Sequence, residues 1–398
     1  MYRSNAVLRF IVIVSLIPIL YHFRGIKNAI LHAYEDELRI TSATKNYMLT
    51  RGTQKQDIEK MVTTKESSVT ELNAKQNTTT VKEKTSQKGV KNEASKLKER
   101  KFKEEIYNYK NTLRLPQACY LPEKSSESGT TCSAPVVPGI MHMVWLYDDA
   151  HEFSFVALLS GLSILRVIKP CAILFWYGGH EPIGDYWTQF TGNASDADIK
   201  IHMLSITTPT TVGGVRFGWK EHRSSFVRLH VVEAFGGIYM DTDVIAVRSL
   251  LPLRCYNMTM GQESGDVMCN NFLMAAPNSK FLQHFIAQYY IDYPGNYWGY
   301  NVLTAMKMAR KHHELIHVEK KFINHPNWHD NEIKMIFDEK HKFDWRKNFV
   351  VHLWNRVSHV KTNPEELKSL NSSFGELARM VYYQLNKEQS PFLLSSSA

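Results

Sequence analysis

The chain has 398 residues, which is enough for two domains or for one large domain with appendages. Its formal net charge is +9, but residues 24–110 alone carry 19 Lys and Arg against 12 Asp and Glu, a net charge of +7. The basic charge therefore belongs mainly to one polar segment. The net charge is therefore no evidence that the rest of the chain binds nucleic acid. We predict no nucleic-acid partner.

The N-terminus carries an apolar run. Residues 10–21 are uncharged and almost wholly apolar, and Arg3 and Arg9 precede them. The run is short for a helix that crosses a bilayer, and it also fits the apolar region of a cleaved secretory signal peptide. No small-x-small cleavage site follows closely, which favours an uncleaved signal anchor. We therefore predict a short cytoplasmic tail and a transmembrane helix over residues 1–23.

The next segment, residues 24–135, is predicted to be a lumenal stem that is largely disordered. Up to about residue 110 it is rich in Lys, Thr, Ser, Glu and Gln and poor in aromatic residues. Such a composition buries too little apolar surface to offset the entropy lost on ordering. The run KLKERKFKEE at 96–105 is compatible with a charged helix, but it has no wide apolar face.

Glycosylation sequons and cysteines agree with a secretory chain. The Asn-x-Ser/Thr sequons begin at Asn77, Asn193, Asn257 and Asn371. Five cysteines without a CxxC pair argue against a zinc site. By proximity along the chain alone, the plausible disulfides are Cys119–Cys132 and Cys255–Cys269, with Cys171 left over.

Residues 136–390 form the predicted folded domain. Strands are predicted, in chain order, at 139–147, 171–179, 199–206, 237–247, 257–263, 270–276 and 348–354. Helices are predicted at 153–168, 224–235, 279–290, 301–313 and 364–385. The early strands are continuous apolar runs, which indicates a mostly parallel sheet covered on both faces. The fold class is therefore α/β, with a Rossmann-like first half and a mixed second half.

The stretch GGIYMDTD at 236–243 ends a predicted strand in two carboxylates. Asp241 and Asp243 are two residues apart, so on a strand they would face the same side. In open α/β sheets, ligands bind beyond the carboxyl ends of the strands. A hard divalent cation, Mn²⁺ or Mg²⁺, would neutralise the repulsion between the two acids. A solvent-facing turn is the alternative, and the pair alone does not decide between them.

The surrounding sequence is more specific. The stretch RSSFVRLHVVEAFGGIYMDTDV resembles the Asp-x-Asp sugar-binding region of glycosyltransferase family 32. Within that family the closest resemblance is to the Golgi α1,4-galactosyltransferases and α1,4-N-acetylglucosaminyltransferases. The segments MHMVWL, CNNFLMAAPNSKFLQHF, YWG and VVHLWN stand in the expected order, and the resemblance covers roughly residues 136–360.

The resemblance implies a GT-A fold, a mixed sheet flanked by helices. It also implies sugar transfer from UDP with retention of configuration, in the presence of Mn²⁺ or Mg²⁺. Asp243 and Asp241 are then expected to bind the metal, with Asp241 also reaching the donor, and His352 is their expected late-sequence partner. Arg228 is expected to hold the donor sugar or phosphate, and Trp145 to stack on uracil.

Five further residues complete the expected site. Ser225, Gly237, Tyr239 and Asn270 are expected to contact the donor. Glu263 is a carboxylate near the end of a predicted strand, and it is the candidate catalytic group that could act on an acceptor hydroxyl. For Glu263 and Asn270, as for Arg228, His352 and Trp145, the alternative is an ordinary structural residue. The expected setting is the Golgi membrane, with a single-pass type II anchor, a lumenal catalytic domain and a glycan or glycolipid acceptor.

Two departures separate this chain from its family. Members usually carry Ser-Asp where this chain has Ser224 and Ser225, so a charge expected near the donor sugar is missing. The chain also keeps Trp298 and Gly299 but lacks the Gly-Pro that follows in the α1,4-transferases. A second hypothesis is therefore a catalytically weak, carbohydrate- or nucleotide-binding relative that acts by interaction. A calcium-binding loop fits poorly, because DTDVIAVRSL lacks the further oxygen ligands.

Overall fold

The computed structural model describes residues 81–120, 135–338, 340 and 343–384. All of them belong to one compact unit, residues 78–398. The predicted tail and anchor at 1–23 and the first part of the predicted stem lie outside the described residues. Within the described ranges, none of the helices is long and apolar enough to cross a membrane.

The folded unit alternates helices and strands, and most predicted elements are present. The helices are α1 (Val81–Thr112), α2 (Phe155–Ser163), α3 (Asp185–Asp196), α4 (Lys220–Phe235), α5 (Lys280–Asp292), α6 (Tyr300–Lys311), α7 (Asp330–Phe337), α8 (Asn355–Ser358), α9 (Pro364–Leu367) and α10 (Ser373–Tyr383). The strands are β1 (Ile140–Tyr147), β2 (His151–Glu152), β3 (Ala172–Gly179), β4 (Pro182–Ile183), β5 (Lys200–Ser205), β6 (Thr211–Val212), β7 (Val215–Arg216), β8 (Gly237–Met240), β9 (Val244–Ala246), β10 (Met258–Ser264), β11 (Val267–Ala275), β12 (His317–Glu319) and β13 (Val350–His352).

The main sheet has seven strands in the order β12-β10-β11-β8-β1-β3-β5. Strands β8, β1, β3 and β5 are parallel to one another, and β11 runs antiparallel to both β8 and β10. This is the predicted α/β arrangement, with a parallel first half and a mixed second half. A short antiparallel pair, β9 with β13, lies outside the main sheet and connects the middle of the chain to its late part.

Helices cover both faces of the parallel strands. On one face, His142 of β1 and Trp176 of β3 pack against Phe235 of α4. On the other face, Trp145 of β1 packs against Phe153, just before α2, and Phe175 of β3 packs against α3. Burial on both faces explains why these strands are continuous apolar runs.

Helix α1 corrects the prediction of disorder for its part of the stem. Phe102 and Ile106 are buried in the core, and the Phe102 ring lies 5.9 Å from the ring of Phe226 in α4. The Glu105 carboxylate accepts a hydrogen bond of 2.6 Å from the backbone N–H of Thr207. Because residues four apart share one face of a helix, Phe102 and Ile106 form a narrow apolar stripe within a highly charged sequence. That stripe was too narrow to recognise from composition.

The disulfide pairing inferred from proximity was wrong. Cys119 is bonded to Cys171, whose Cα lies 5.2 Å from that of Cys119. Cys255 is also disulfide-bonded, but Cys269 carries a free thiol, so the pair Cys255–Cys269 does not form. The bond between Cys119 and Cys171 ties the segment after α1 to the start of β3, residues that are 52 positions apart.

The two glycines of GGIYMDTD end α4 and start β8, as predicted. Gly236 and Gly237 both have positive φ, at 67° and 113°, which favours glycine. The predicted strand at 237–247 is interrupted, because β8 ends at Met240 and β9 begins at Val244. The backbone N–H of Val244 donates to the carbonyl of Asp241, so the two acids lie in a tight turn at the carboxyl end of β8.

Candidate active site

Two pairs of strands bring Asp241, Asp243 and His352 together. Asp241 follows β8, and its backbone N–H donates to the Asn271 carbonyl of the neighbouring strand β11. Asp243 precedes β9, whose Val244 is paired with His352 of β13. One potential ligand atom from each of the three side chains lies within 4.8 Å of those from the other two. Residues more than a hundred positions apart thus face one point beyond the carboxyl end of β8.

Asp243 is held in its charged form. His352 Nε2 lies 3.3 Å from its carboxylate, and the backbone N–H of Asn355 donates to the same oxygen at 2.9 Å. Burial acts to raise the pKa of Asp243, but attraction to His352 and these hydrogen bonds outweigh burial, so the pKa is lowered. A carboxylate that stays charged is available for a cation.

Asp241 has a different environment. Arg228 Nη2 lies 2.8 Å from its Oδ1, and the Tyr239 hydroxyl donates to the same oxygen at 2.5 Å. Burial raises the pKa of Asp241, helped by the charge of Asp243 and opposed by Arg228. Arg228 and Tyr239 therefore fix one oxygen of Asp241 and leave the other for a ligand.

Arg228 is buried on α4, and both of its Nη nitrogens have polar partners. Besides Asp241, its guanidinium donates to the Asn270 carbonyl at 2.8 Å and to Ser224 Oγ at 3.1 Å. It also lies 4.4 Å from the centre of the Tyr239 ring. Its burial acts to lower the pKa, but the charge of Asp241 outweighs burial and raises it, so the group is a fixed cation beside the acid pair.

Ser225 lies in a neutral hydrogen-bonded network rather than alone. Asn301 Nδ2 donates to Ser225 Oγ at 3.0 Å, and Ser225 Oγ donates to Asn270 Oδ1 at 3.4 Å. The Tyr289 hydroxyl donates in turn to Asn301 Oδ1. Asn301, at the start of α6, was not predicted as a site residue. Its only signal in the sequence was its position three residues after Trp298.

The structure does not bring three predicted residues to this point. Trp145 is buried against Phe153 on the α2–α3 face, so its ring is not free to stack on a base. Gly237 lies at the opposite end of β8 from Asp241, and a Cβ there would meet the Ile140 carbonyl oxygen at 2.6 Å. It serves the turn rather than a ligand. Glu263 is only 1% exposed, and its carboxylate accepts a hydrogen bond from the Trp328 ring nitrogen.

Tyr147, at the carboxyl end of β1, was not predicted as a site residue. Burial and then the charge of Asp243 raise the pKa of its hydroxyl. Its ring is stacked on His151, with ring centres 4.0 Å apart. The usable signal was its place at the end of a parallel strand, where ligands bind in open sheets.

A cavity of about 320 Å³ lies beside Asn355, although neither acid nor His352 lines it. It lies between the start of α2 and the segment after α8, and Asn355, whose N–H binds Asp243, is part of its wall. His359, Lys361 and Thr362 line it as well. Basic side chains beside a cation site suit a ligand that carries several negative charges.

The three residues of the cluster fit a divalent metal. Two carboxylates and an imidazole offer three ligand atoms on one side, which leaves other positions open for water or substrate oxygen. Mixed oxygen and nitrogen ligands suit Mn²⁺ or another transition metal more than Mg²⁺, which prefers oxygen alone. His352 Nδ1 is buried and has no hydrogen-bond partner among the described residues.

Residues 203–265 match the family model described as "Glycosyltransferase sugar-binding region containing DXD motif". The matched region holds Ser225, Arg228, Asp241 and Asp243, so the resemblance inferred from the sequence is confirmed. The match covers this region alone, and the sheet around it is a mixed α/β sheet.

Proteins of two other organisms are similar to parts of this chain. "Glucan organizing enzyme 1" of Cryptococcus neoformans var. grubii is 27% identical over 269 residues, which cover 61% of this chain and 70% of the relative. An uncharacterised Arabidopsis thaliana protein is 33% identical over 93 residues, 22% of this chain and 14% of the relative.

Solved glycosyltransferases overlap with the structure to a limited extent. The galactosyltransferase LgtC, determined with donor and acceptor sugar analogues, has 12% identity and a TM-score of 0.37, over 62% of this chain and 98% of its own. The PaToxG glycosyltransferase has 14% identity and a TM-score of 0.32, over 56% of this chain and 79% of its own. With TM-scores this low, we draw no conclusion about this chain from either structure.

Proposed function

We propose that this protein is a retaining glycosyltransferase that moves a hexose or an N-acetylhexosamine from a UDP-sugar to a glycan or glycolipid acceptor. The observation that carries the proposal is the cluster of Asp241 and Asp243, both within the matched DXD sugar-binding region, with His352 of β13. Similarity of fold alone would not suffice, because function has to be argued from the site.

The proposed metal is Mn²⁺, with Mg²⁺ as the alternative. Asp241, Asp243 and His352 would hold it, with Asn355 keeping Asp243 oriented and Arg228 keeping Asp241 oriented. When bound, the metal would offset the negative charge that develops on the leaving diphosphate as the glycosidic bond breaks. Arg228, a buried permanent cation 2.8 Å from Asp241, would add a second positive charge at the same point.

The proposed donor is a nucleotide diphosphate sugar. The cavity that Asn355 lines is also lined by His359 and Lys361, whose side chains are suited to phosphate oxygens. Tyr147, half-buried at the end of β1, is better placed than the buried Trp145 to contact the base. Uracil as the base follows from the resemblance to the α1,4-transferases and is part of the proposal.

The acceptor chemistry is proposed without Glu263. Its carboxylate is buried and engaged by Trp328, so it does not face an acceptor hydroxyl in this structure. Retention of configuration and an α1,4-linkage follow from the family resemblance, with no nucleophile assigned. A Golgi membrane protein of type II topology, with this unit in the lumen, is the proposed setting, and the disulfide between Cys119 and Cys171 supports an oxidising compartment.

The network around Ser225 favours a second candidate. Where the family usually has a carboxylate, Ser225 is hydrogen-bonded to two asparagines and offers no charge. A relative that binds a nucleotide sugar with little turnover would be consistent with that loss. Turnover, not binding, separates the two candidates.

A donor screen tests the proposal. The full-length chain is incubated with UDP-sugars, with and without Mn²⁺, and released UDP is measured with and without saccharide acceptors. We expect UDP release for at least one donor, dependent on Mn²⁺ and lost in Asp243→Asn. Asp266→Asn is the matched control, because Asp266 is an exposed carboxylate paired with the exposed Arg310. Binding of UDP-sugars without turnover would favour the second candidate. Equal activity of the wild type and Asp243→Asn would contradict the assignment of Asp243 as a metal ligand.

A further inference from the structure

The segment that follows β13 is attached to the opposite side of the site by one exposed arginine. Arg356 of α8 donates through Nη1 to the Glu221 carboxylate at 2.7 Å. Glu221 lies in the first turn of α4, the helix that carries Arg228. The contact joins two parts of the chain that are 135 residues apart.

The same guanidinium lies over an aromatic ring. Its Cζ is 3.8 Å from the centre of the Trp298 ring, close enough for a cation–π contact. On Trp298 the ring of His222 is also stacked, with centres 5.9 Å apart, and His222 is hydrogen-bonded to the Trp298 carbonyl. Trp298 is therefore held in place by α4, and it offers Arg356 a fixed surface.

Arg356 is adjacent in sequence to the group that holds Asp243. The backbone N–H of Asn355 donates to Asp243 Oδ2 at 2.9 Å, and the Leu353 N–H donates to the Asp243 carbonyl at 2.9 Å. Helix α8 has only four residues, and the hydrogen bonds that close it accept at the Trp354 and Asn355 carbonyls, so they do not engage the Asn355 N–H itself. An anchor one residue away can supply that orientation.

We propose that Arg356 is a positioning residue which, through Glu221 and Trp298, holds the Asn355 N–H against Asp243 and so tunes the affinity of the site for a divalent cation. This set of Arg356, Glu221 and Trp298 is called the Arg356 clasp. The inference rests on the proposed function in one respect, the binding of a cation by Asp243. Arg356 itself touches neither the acid pair nor His352.

The chemistry of the clasp predicts a graded response. Lysine at 356 keeps the charge for Glu221 but loses the planar group that stacks on Trp298, so Arg356→Lys should retain only part of the effect. Arg356→Ala removes both contacts. Because the anchor is exposed, its effect should be smaller than the tenfold to hundredfold loss typical of groups that bond a metal ligand directly.

Two measurements on the full-length chain test the clasp. The first is hydrogen–deuterium exchange of the peptide that contains residues 353–358, without metal. We expect faster exchange in Arg356→Ala, an intermediate rate in Arg356→Lys, and no further change when Glu221→Gln is added to Arg356→Ala. Arg310→Ala, which removes an exposed arginine paired with Asp266, should leave this peptide unchanged.

The second measurement is Mn²⁺ affinity, from the paramagnetic resonance signal of the free ion. Arg356→Ala should bind Mn²⁺ about threefold to tenfold more weakly than the wild type, and Arg356→Lys should restore part of the loss. Unchanged exchange in Arg356→Ala would overturn the clasp. Faster exchange in Arg356→Ala with unchanged Mn²⁺ affinity would contradict the proposal that the clasp tunes cation binding. If wild type and Asp243→Asn both fail to bind Mn²⁺ while the exchange result holds, the proposed metal site fails and the positioning of Asn355 stands.

Discussion

His352 Nε2 lies 3.3 Å from a carboxylate oxygen of Asp243. The two residues are joined through β9 and β13, the short strand pair outside the main sheet. Strand pairing thus brings a late histidine to a carboxylate that follows the central strand β8. Together with Asp241, this places three ligand atoms within 4.8 Å of one another.

Replacement of His352 tests whether the imidazole is a ligand. We expect His352→Ala to weaken Mn²⁺ binding at least tenfold, because one of three protein ligands is lost. Isothermal titration with Mn²⁺ measures the change. His359→Ala, which alters the wall of the adjoining cavity but not the cluster, is the control and should retain the affinity for the metal. Equal affinities for the wild type and His352→Ala would show that the imidazole is not a ligand.

Loss of Arg228 should destabilise the fold. Arg228→Met leaves the Asp241 carboxylate, which is 28% exposed, without its 2.8 Å ion pair, and we expect a loss of about 1–3 kcal/mol because the acceptor is only partly solvated. Urea unfolding measures the loss. The double variant Arg228→Met with Asp241→Asn should recover part of it, because the unpaired charge is then gone. Arg310→Met, in an exposed pair, should change nothing measurable, and a fully stable Arg228→Met would contradict the account.

Removal of the Phe102 side chain tests whether α1 belongs to the folded unit. Phe102 is fully buried against α4, so Phe102→Ala should lower the free energy of unfolding by about 3–5 kcal/mol. Leu97→Ala is the matched control on the same helix, since Leu97 is 55% exposed and its truncation should leave stability almost unchanged. Equal stability of the two variants would mean that α1 contributes no packing.

His142 should make the fold sensitive to acid. Burial lowers its pKa from 6.5 to about 4, and its neutral ring accepts a hydrogen bond from Trp176 and donates one to the Gly236 carbonyl. The unfolded histidine takes up a proton near pH 6.5, whereas the folded one does so only near pH 4. Stability is therefore complete above pH 6.5 and falls as the pH drops towards 4, by on the order of 3 kcal/mol.

Urea unfolding at pH 7 and at pH 4.5 checks this. The expected result is a smaller difference between the two pH values for His142→Asn than for the wild type, whatever the absolute stability of the variant. Identical pH dependence in the two proteins would show that His142 does not titrate in this range on unfolding.

The sheet and the acid pair could be predicted because their signals are local. The apolar runs of β1 and β3, the glycine pair before β8 and the spacing of Asp241 and Asp243 all lie within single elements. The family resemblance added Arg228 and His352, which no local pattern connects to the acids. Their proximity depends on the pairing of β9 with β13 and on the packing of α4 against the sheet.

Other features could not be predicted, for physical reasons. The disulfide of Cys119 depends on where α1 directs the chain, and distance along the sequence does not report that. Trp145 and Tyr147 are two residues apart on β1, and only the packing of the helices shows that the first ring is enclosed. Asn355 acts through its backbone N–H, so its side chain carries no signal.

The most direct test of the central claim is Mn²⁺ binding by the full-length chain in the presence and absence of UDP. The account predicts that the wild type binds Mn²⁺, that UDP tightens this binding, and that Asp243→Ala weakens it at least tenfold and abolishes the effect of UDP. Asp266→Ala should behave as the wild type. Equal Mn²⁺ affinity in the wild type and in Asp243→Ala, with or without UDP, would contradict the assignment of Asp241, Asp243 and His352 as the metal site of a nucleotide-sugar transferase.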